Sequence, residues 1–448
     1  MLDSRPSRIF KTYAIPQMLG LVFNSMYFIV DGMFIGNRLG RDALAAVAIA
    51  VPVIEVLIAL SLALTGGASI LIGRSLGRGK PEAARRLMMS SLMMASLLGL
   101  VTLAVGQFFT APLARLLGAT PEILLMAVDY LRLILLFSPV LVFSFLLGGL
   151  MRGDGKPRLA MAAMTLGALT NIVLDYVFMY PLDMGIKGAA LATGLGPVVS
   201  VLILLPRFFT RKGHLYFCRA RLKLKEAGQM LVLGFPGFIL EFTIGLITLF
   251  YNLAILREGY GEVGLAAYLL IGYLMLLMLT VFLGLAEGLQ PAFAYLFGAG
   301  DRARLQALKQ YSITAVLSLG ILLSLLIILF SGGFFSLFTG DDPALISFAA
   351  TQSRAYFSGM FLSGFNILLI IYWQSTGFAG KALYTSLLRS LALPPLLLFV
   401  LPGLLGSHVI WFAHPISEAV TAVITLLIML RLRSQNFQPA LVKEGAPS

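Results

Sequence analysis

Six carboxylates interrupt the apolar stretches of this chain: Asp31, Glu55, Asp175, Glu241, Glu287 and Glu418. A charge held in an apolar phase is costly, so each is a candidate functional group. Asn171 precedes Asp175 by one helical turn, which puts both on one side of a helix. Asp31, Asn171, Asp175 and Thr193 together offer two carboxylates, an amide and a hydroxyl. Such an all-oxygen set suits a hard monovalent cation such as Na+, by analogy with the divalent hard ions. It equally suits protons, since a carboxyl buried beside a like charge can take one up. A third reading is that the two aspartates only tie helices together by hydrogen bonds.

The elements that must position these groups follow from composition. Of the 448 residues, 59% are hydrophobic and 12% charged, more apolar surface than a soluble globule needs. The apolar residues fall in runs of about 20, the length of a bilayer-crossing helix. The chain is therefore expected to be an all-α polytopic membrane protein; a transmembrane barrel would show short alternating segments instead. Twelve spans are read near 13–36, 46–73, 88–109, 123–150, 159–180, 188–206, 230–256, 263–295, 311–330, 344–373, 382–404 and 409–430. Most of the 33 Lys and Arg residues then fall on one side if both termini are cytoplasmic. The clusters Arg74, Arg78, Lys80, Arg85, Arg86 and Arg207, Arg211, Lys212, Arg219, Arg221, Lys223, Lys225 lead that bias. At about 1.5 Å per residue, Asp31 stands roughly 24 Å from the cytoplasmic face and Asp175 roughly 25 Å. Thr193, on a helix that starts outside, lies about 9 Å below the outer face. In a core about 30 Å thick these are one level.

The net charge of +13 is explained by these orienting loops, and no nucleic-acid partner is expected. Cys218 is the single cysteine, so neither a disulfide framework nor a Cys metal site is available. His214, His408 and His414 are scattered and suggest no histidine metal site. The pairs Gly79-Lys80, Gly155-Lys156 and Gly380-Lys381 lack the rest of a phosphate-binding loop, which speaks against ATP-driven transport and for no cofactor. The amino-terminal run reads as the first span and not as a cleaved signal peptide. Pro16 and Pro236 sit early in the first helix of each half, where loss of a backbone hydrogen bond can make a hinge or only an ordinary kink.

An internal repeat sets the domain plan. A shift of 221 residues superposes Leu44–Ala46 on Leu265–Ala267, Gly67 on Gly288, Gly77 on Gly298, Gly79 on Gly300 and Leu87 on Leu308. A shift of 220 pairs Pro16 with Pro236, and one of 222 pairs Arg132 with Arg354 and Gly155 with Gly377. Two six-helix lobes of the same orientation are expected, related about an axis along the membrane normal with a cavity between them. The boundaries are 1–206 for the first lobe, 207–229 for a basic cytoplasmic linker, 230–435 for the second lobe and 436–448 for a cytoplasmic tail.

The chain resembles the multidrug and toxic compound extrusion (MATE) family, and its DinF-like branch in particular. The resemblance is carried by IPQMLGLVFNSMYFIVDGMFIG at 15–36, LALTGGASILIGRSLGRGKPEAA at 62–84, LMRGDGKPRLA at 150–160 and NIVLDYVFMY at 171–180. It continues with GFPGFILEFTIGLITLFYN at 234–252, GLAEGLQPAFAYLFGAGD at 284–301 and GFNILLIIYWQSTG at 364–377. The resemblance implies a V-shaped pair of lobes and cation-coupled drug export. It also implies a first-lobe cation site of one Asp on helix 1, an Asn-x-x-x-Asp on helix 5 and a Thr on helix 6. These map onto Asp31, Asn171, Asp175 and Thr193, the set that depth selects. Other branches carry coupling acids in the second lobe, where Glu241 is a counterpart in a different register. Glu287 stands where many relatives have Gln, and Glu55 where an apolar residue is usual.

The function expected is a cation-coupled antiporter, driven by H+ or Na+, that exports organic cations and other amphipathic drugs by alternating access. Glu241 and Glu287 are second-lobe candidates for coupling or substrate contact. The 19 Met and 32 Phe residues permit an adaptable polyspecific lining, although core packing accounts for them as well. A lipid-linked saccharide flippase of the same wider superfamily is the alternative. That function needs several basic residues for a pyrophosphate, and Arg389 is the clearest mid-membrane one. An intramembrane enzyme would need a large outer loop with paired acids, and the outer loops here are short. The expected setting is the inner (plasma) membrane, crossed many times, with a monomer, the lipid bilayer and small amphipathic molecules as the interacting species.

Overall fold

The structure, a computed structural model, describes residues 5–339 and 342–434. The expected tail 436–448 lies outside the described residues. Among those described, every regular element is helical. In the first half α1 (Pro6–Leu39), α2 (Arg41–Gly77), α3 (Pro81–Phe108), the short α4 (Thr110–Leu116), α5 (Leu124–Leu136), α6 (Ser138–Gly153), α7 (Pro157–Met179) and α8 (Gly185–Phe209) follow in order. The second half holds α9 (Leu224–Arg257), α10 (Gly261–Gly298), α11 (Arg302–Thr339), α12 (Pro343–Phe357), α13 (Met360–Ser375), α14 (Ala379–Leu387), α15 (Leu393–Leu405) and α16 (Ala413–Ser434).

Among the described residues ten helical stretches are long and apolar enough to span a bilayer on their own, and two bent pairs, if each is one span, raise the number to twelve. Six spans fall in each half, as the apolar runs indicate. The fourth span of each half is the bent one. It turns by 46° between α5 and α6 and by 42° between α12 and α13. The breaks at Phe137 and Ser358 keep the 221-residue offset of the sequence repeat. The eleventh span also departs from a plain helix: a π-turn at Leu388–Ala392 joins α14 to α15, and such turns inside helices commonly mark functional positions.

Repeat-matched residues make matched structures. Gly79 and Gly300 close α2 and α10 with left-handed backbones, φ 69° and 72°, a conformation that costs glycine nothing. The equivalent turns at Gly155 and Gly377 do the same.

Two compact units are defined by internal packing. The first is Met1–Glu241 with Gly288–Arg302, and the second is Phe242–Glu287 with Ala303–Ser448. In the first unit, Gly77 lies against the backbone of Tyr295 while Gly298 lies against that of Arg74. These four residues are two repeat-equivalent pairs, so the close approach of α2 and α10 is reciprocal. Small residues allow that approach between helix backbones. The connection between the halves leaves helix over 210–223 and is held to the first unit. Asp154 accepts from the His214 N–H at 2.7 Å and the Leu215 N–H at 3.0 Å. Arg85 donates from Nε to the His214 carbonyl at 3.0 Å and covers the Tyr216 ring at 4.0 Å.

Candidate functional site

The first-unit site is built where α7 packs on α8 and α1. The α7–α8 crossing is close because glycines face each other. A Cβ at Gly167 would come 2.8 Å from the Gly196 carbonyl and 2.5 Å from Ser200 Oγ. Ser200 Oγ donates to the Ala163 carbonyl at 2.9 Å and ties the two helices one turn away. This crossing brings Asn171 and Asp175 of α7 against Thr193 of α8, and α1 brings Asp31 to the same place.

All four residues of the expected set therefore meet. The Asp31 and Asp175 carboxyls lie within hydrogen-bond reach of each other. Asp31, Asn171 and Asp175 are 5%, 1% and 0% exposed. Both ends of the Asn171 amide are satisfied when its nitrogen faces Asp175 Oδ2 at 3.2 Å and its oxygen accepts from the Thr193 N–H at 3.1 Å. One carboxylate oxygen of each aspartate, Oδ1 in both, is buried without a partner. A buried acceptor left unpaired is costly, and a proton or a small cation supplies what these oxygens lack. The acceptors left over are carboxylate oxygens, which suit a hard monovalent ion better than a soft metal.

Two further residues join this cluster. Tyr27 stands in the field of both aspartates. Tyr130, from α5, brings its hydroxyl within hydrogen-bond reach of Thr193. Tyr27 precedes Asp31 by four residues, so its place on the same helix face was open to sequence reasoning. Nothing in the sequence marks Tyr130, which arrives through the packing of α5 on α8.

The remaining acids lie elsewhere. Glu55 on α2, Glu241 on α9 and Glu287 on α10 are half-buried, on elements other than the three that supply Asp31, Asn171, Asp175 and Thr193. Pro16 and Pro236 are both buried, and α1 and α9 continue as helix through them. In the second unit Glu418 is paired. Its carboxylate meets the Arg389 guanidinium at 2.7 Å and accepts from Asn366 Nδ2, also at 2.7 Å. Asn366 Nδ2 also donates to the Glu418 carbonyl at 3.0 Å. One turn before Glu418, His414 stacks on Tyr356 with ring centres 4.7 Å apart and lies 3.3 Å from Ser363 Oγ. Arg389 belongs to the π-turn, so the distortion of the eleventh span and the buried ion pair occur together.

Up to twelve apolar spans among the described residues, and a buried acid pair in the first unit, define a polytopic membrane protein; the proteins it resembles are transporters, not enzymes. The chain belongs to the MatE family, whose model matches residues 16–177 and 236–400. It is 27% identical over 429 residues to the multidrug export protein MepA of Staphylococcus saprophyticus, covering 94% of this chain and 93% of the relative. Its fold superposes with a TM-score of 0.91 on a MATE protein crystallised in complex with MaL6, at 26% identity over 97% of this chain and 98% of the other. A MOP superfamily transporter from Pyrococcus furiosus, described with a binding pocket of reverse polarity, gives the same TM-score and identity over 98% of both chains. The all-α polytopic fold expected from sequence is thus shared with structures of this family.

Proposed function

We propose that the chain is a multidrug exporter of the cell membrane, coupled to inward movement of H+ or Na+ through Asp31, Asn171, Asp175 and Thr193. The observation that carries this reading is the contact between two buried aspartates, each with an unpartnered oxygen. Like charges in contact at low dielectric repel strongly. A shared proton or a bound cation relieves that repulsion, so loading and unloading of the site is a chemical step that can bias a conformational one. Lobe boundaries at 1–206 and 230–435 around a cytoplasmic linker at 207–229, both termini cytoplasmic, a monomeric state and alternating access about Pro16 and Pro236 complete the reading. Glu241 and Glu287 are then the second-lobe groups available for coupling or substrate contact.

The multidrug part is supported by the relatives named above and by a groove of the second unit. That groove encloses ≈ 380 Å³ and is lined by Thr248, Asn252, Tyr268, Tyr273, Met275 and Leu276, among others. Its size is that of small-molecule sites, and its mixture of aromatic, thioether and neutral polar groups suits amphipathic guests. The flippase alternative loses its best residue, because Arg389 is neutralised by Glu418.

The test is Asp31→Asn, which keeps shape and removes charge. Efflux of a lipophilic cation driven by an imposed gradient should be abolished while the variant still folds and inserts. Asp175→Asn should behave nearly the same, and Asn171→Ala and Thr193→Ala should weaken transport. A wild-type rate and an intact gradient response in Asp31→Asn would move the coupling role to Glu241.

A further inference from the structure

The first unit has a cavity of its own, with chemistry that drug export does not use. It encloses ≈ 710 Å³ and is formed by the first turns of α1 and the turn from α6 into α7. Arg8 enters from α1, and Lys156 and Arg158 flank Pro157 at the start of α7. Thr12 stands one turn after Arg8. The hydroxyl of the buried Tyr13 lies beside the left-handed Gly155, where a Cβ would come within 3.8 Å of it. Ile9, Pro157 and Leu159 complete an apolar wall.

Three exposed cations from two elements therefore line one cavity. Among the described residues no carboxylate pairs with Arg8, Lys156 or Arg158. Asp154, the acid nearest in sequence, accepts from the linker N–H groups of His214 and Leu215, and its charge also reaches Tyr13 of the cavity wall, so it offsets only part of the three cations. Orientation of the helices needs basic residues near this face but does not need them gathered around one cavity.

We propose that this cavity binds a phosphate group, and specifically the phosphodiester of an anionic lipid in the cytoplasmic leaflet. Arg presents a planar fork of donors matched to phosphate oxygens, and Lys adds a point charge. The cavity opens at the ends of spanning helices, where headgroups lie, and its apolar wall suits the glycerol and the first methylenes of a lipid. A lipid there would hold the start of α1 to the α6–α7 turn. The leaflet assignment rests on the orientation proposed above; the binding site does not.

The test uses the purified full chain in a neutral detergent, with phosphatidylglycerol, phosphatidylcholine and inorganic phosphate as separate probes. Binding is read as retained lipid by native mass spectrometry and as thermal protection. A basic side chain near an anionic headgroup contributes about a fivefold factor in affinity. The triple variant Arg8→Gln, Lys156→Gln, Arg158→Gln should therefore lose phosphatidylglycerol affinity on the order of a hundred-fold. The charge-keeping pair Arg8→Lys, Arg158→Lys should lose clearly less than the triple variant, because the charges stay and only the donor fork goes, and it shows that the fold survives change here. A control triple, Arg219→Gln, Arg221→Gln, Lys225→Gln, should bind as wild type. Equal loss in the control, or no loss in the cavity variant, overturns the site. Protection by inorganic phosphate equal to that by phosphatidylglycerol overturns the lipid assignment. Neither readout involves transport, so failure here leaves the export reading untouched.

Discussion

Replacing Glu418 by Gln isolates the buried ion pair of the second unit. Gln has nearly the shape of Glu and can still accept from Asn366, but it removes the only carboxylate paired with Arg389 among the described residues. The guanidinium cannot escape by losing its proton. Its side chain is 9% exposed and the Glu418 side chain 2%, so water does not replace the lost partner. Breaking a buried pair in this way costs about 3–5 kcal/mol. Arg389→Met in the same background removes the stranded charge and fills similar volume, so the double variant should recover most of the loss. The assay is an equilibrium unfolding titration with a denaturing detergent at fixed lipid, on wild type, both single variants and the double. The expected pattern is two unstable singles and a more stable double, with an interaction energy of several kcal/mol. Single variants within about 0.5 kcal/mol of wild type, the range of ordinary surface changes, would refute the claim that this pair is buried and mutually compensating.

Three shorter predictions follow from other parts of the molecule. Gly167→Ala must push α8 away from α7, because its Cβ would sit 2.8 Å from the Gly196 carbonyl; overpacking of this kind costs about 1–3 kcal/mol, and efflux should fall with it, whereas Gly153→Ala, which meets nothing within 4 Å, should leave efflux unchanged. Cys218 should react with membrane-impermeant thiol reagents in inside-out vesicles and not in intact cells; labelling from outside would reverse the proposed orientation. Cells expressing the chain should tolerate lipophilic cations such as ethidium better than cells carrying an empty vector; unchanged dye retention with expression verified would favour the flippase alternative.

Much of this architecture was legible in the sequence, for physical reasons that can be named. Spans are legible because a bilayer imposes a length on apolar runs, and the repeat is legible because glycines at turns and helix contacts recur at one offset. In the sequence Gly77 and Gly298 are legible only as repeat-matched glycines, however, and the structure adds that they meet Tyr295 and Arg74 reciprocally. Asp31, Asn171, Asp175 and Thr193 could be grouped by depth alone, since a helix rises at a constant rate. Other features were not legible. The bends at Phe137 and near Ser358 fall within the stretches 123–150 and 344–373, which still read as single spans despite Asp129, Arg132 and Arg354, so hydropathy passes over them. The Arg389–Glu418 pair joins two spans, and one sequence does not say which helix faces which. A weaker signal was present, because a mid-membrane acid and a mid-membrane base each call for an opposite charge. Asp154 sits in a basic turn and gives no sign that its carboxylate holds the linker.

The proposed function requires that an inward cation drive drug out of the cell. Proteoliposomes containing the purified chain, loaded with a fluorescent lipophilic cation, test it directly when proton and sodium gradients are imposed separately. Each coupling charge moved through 100 mV supplies about 2.3 kcal/mol, roughly a fifty-fold bias on drug distribution. Uphill drug movement is expected under one of the two gradients, with collapse when that gradient is dissipated and absence in Asp31→Asn. Drug movement that only follows the drug's own concentration difference, whichever gradient is imposed, would contradict it.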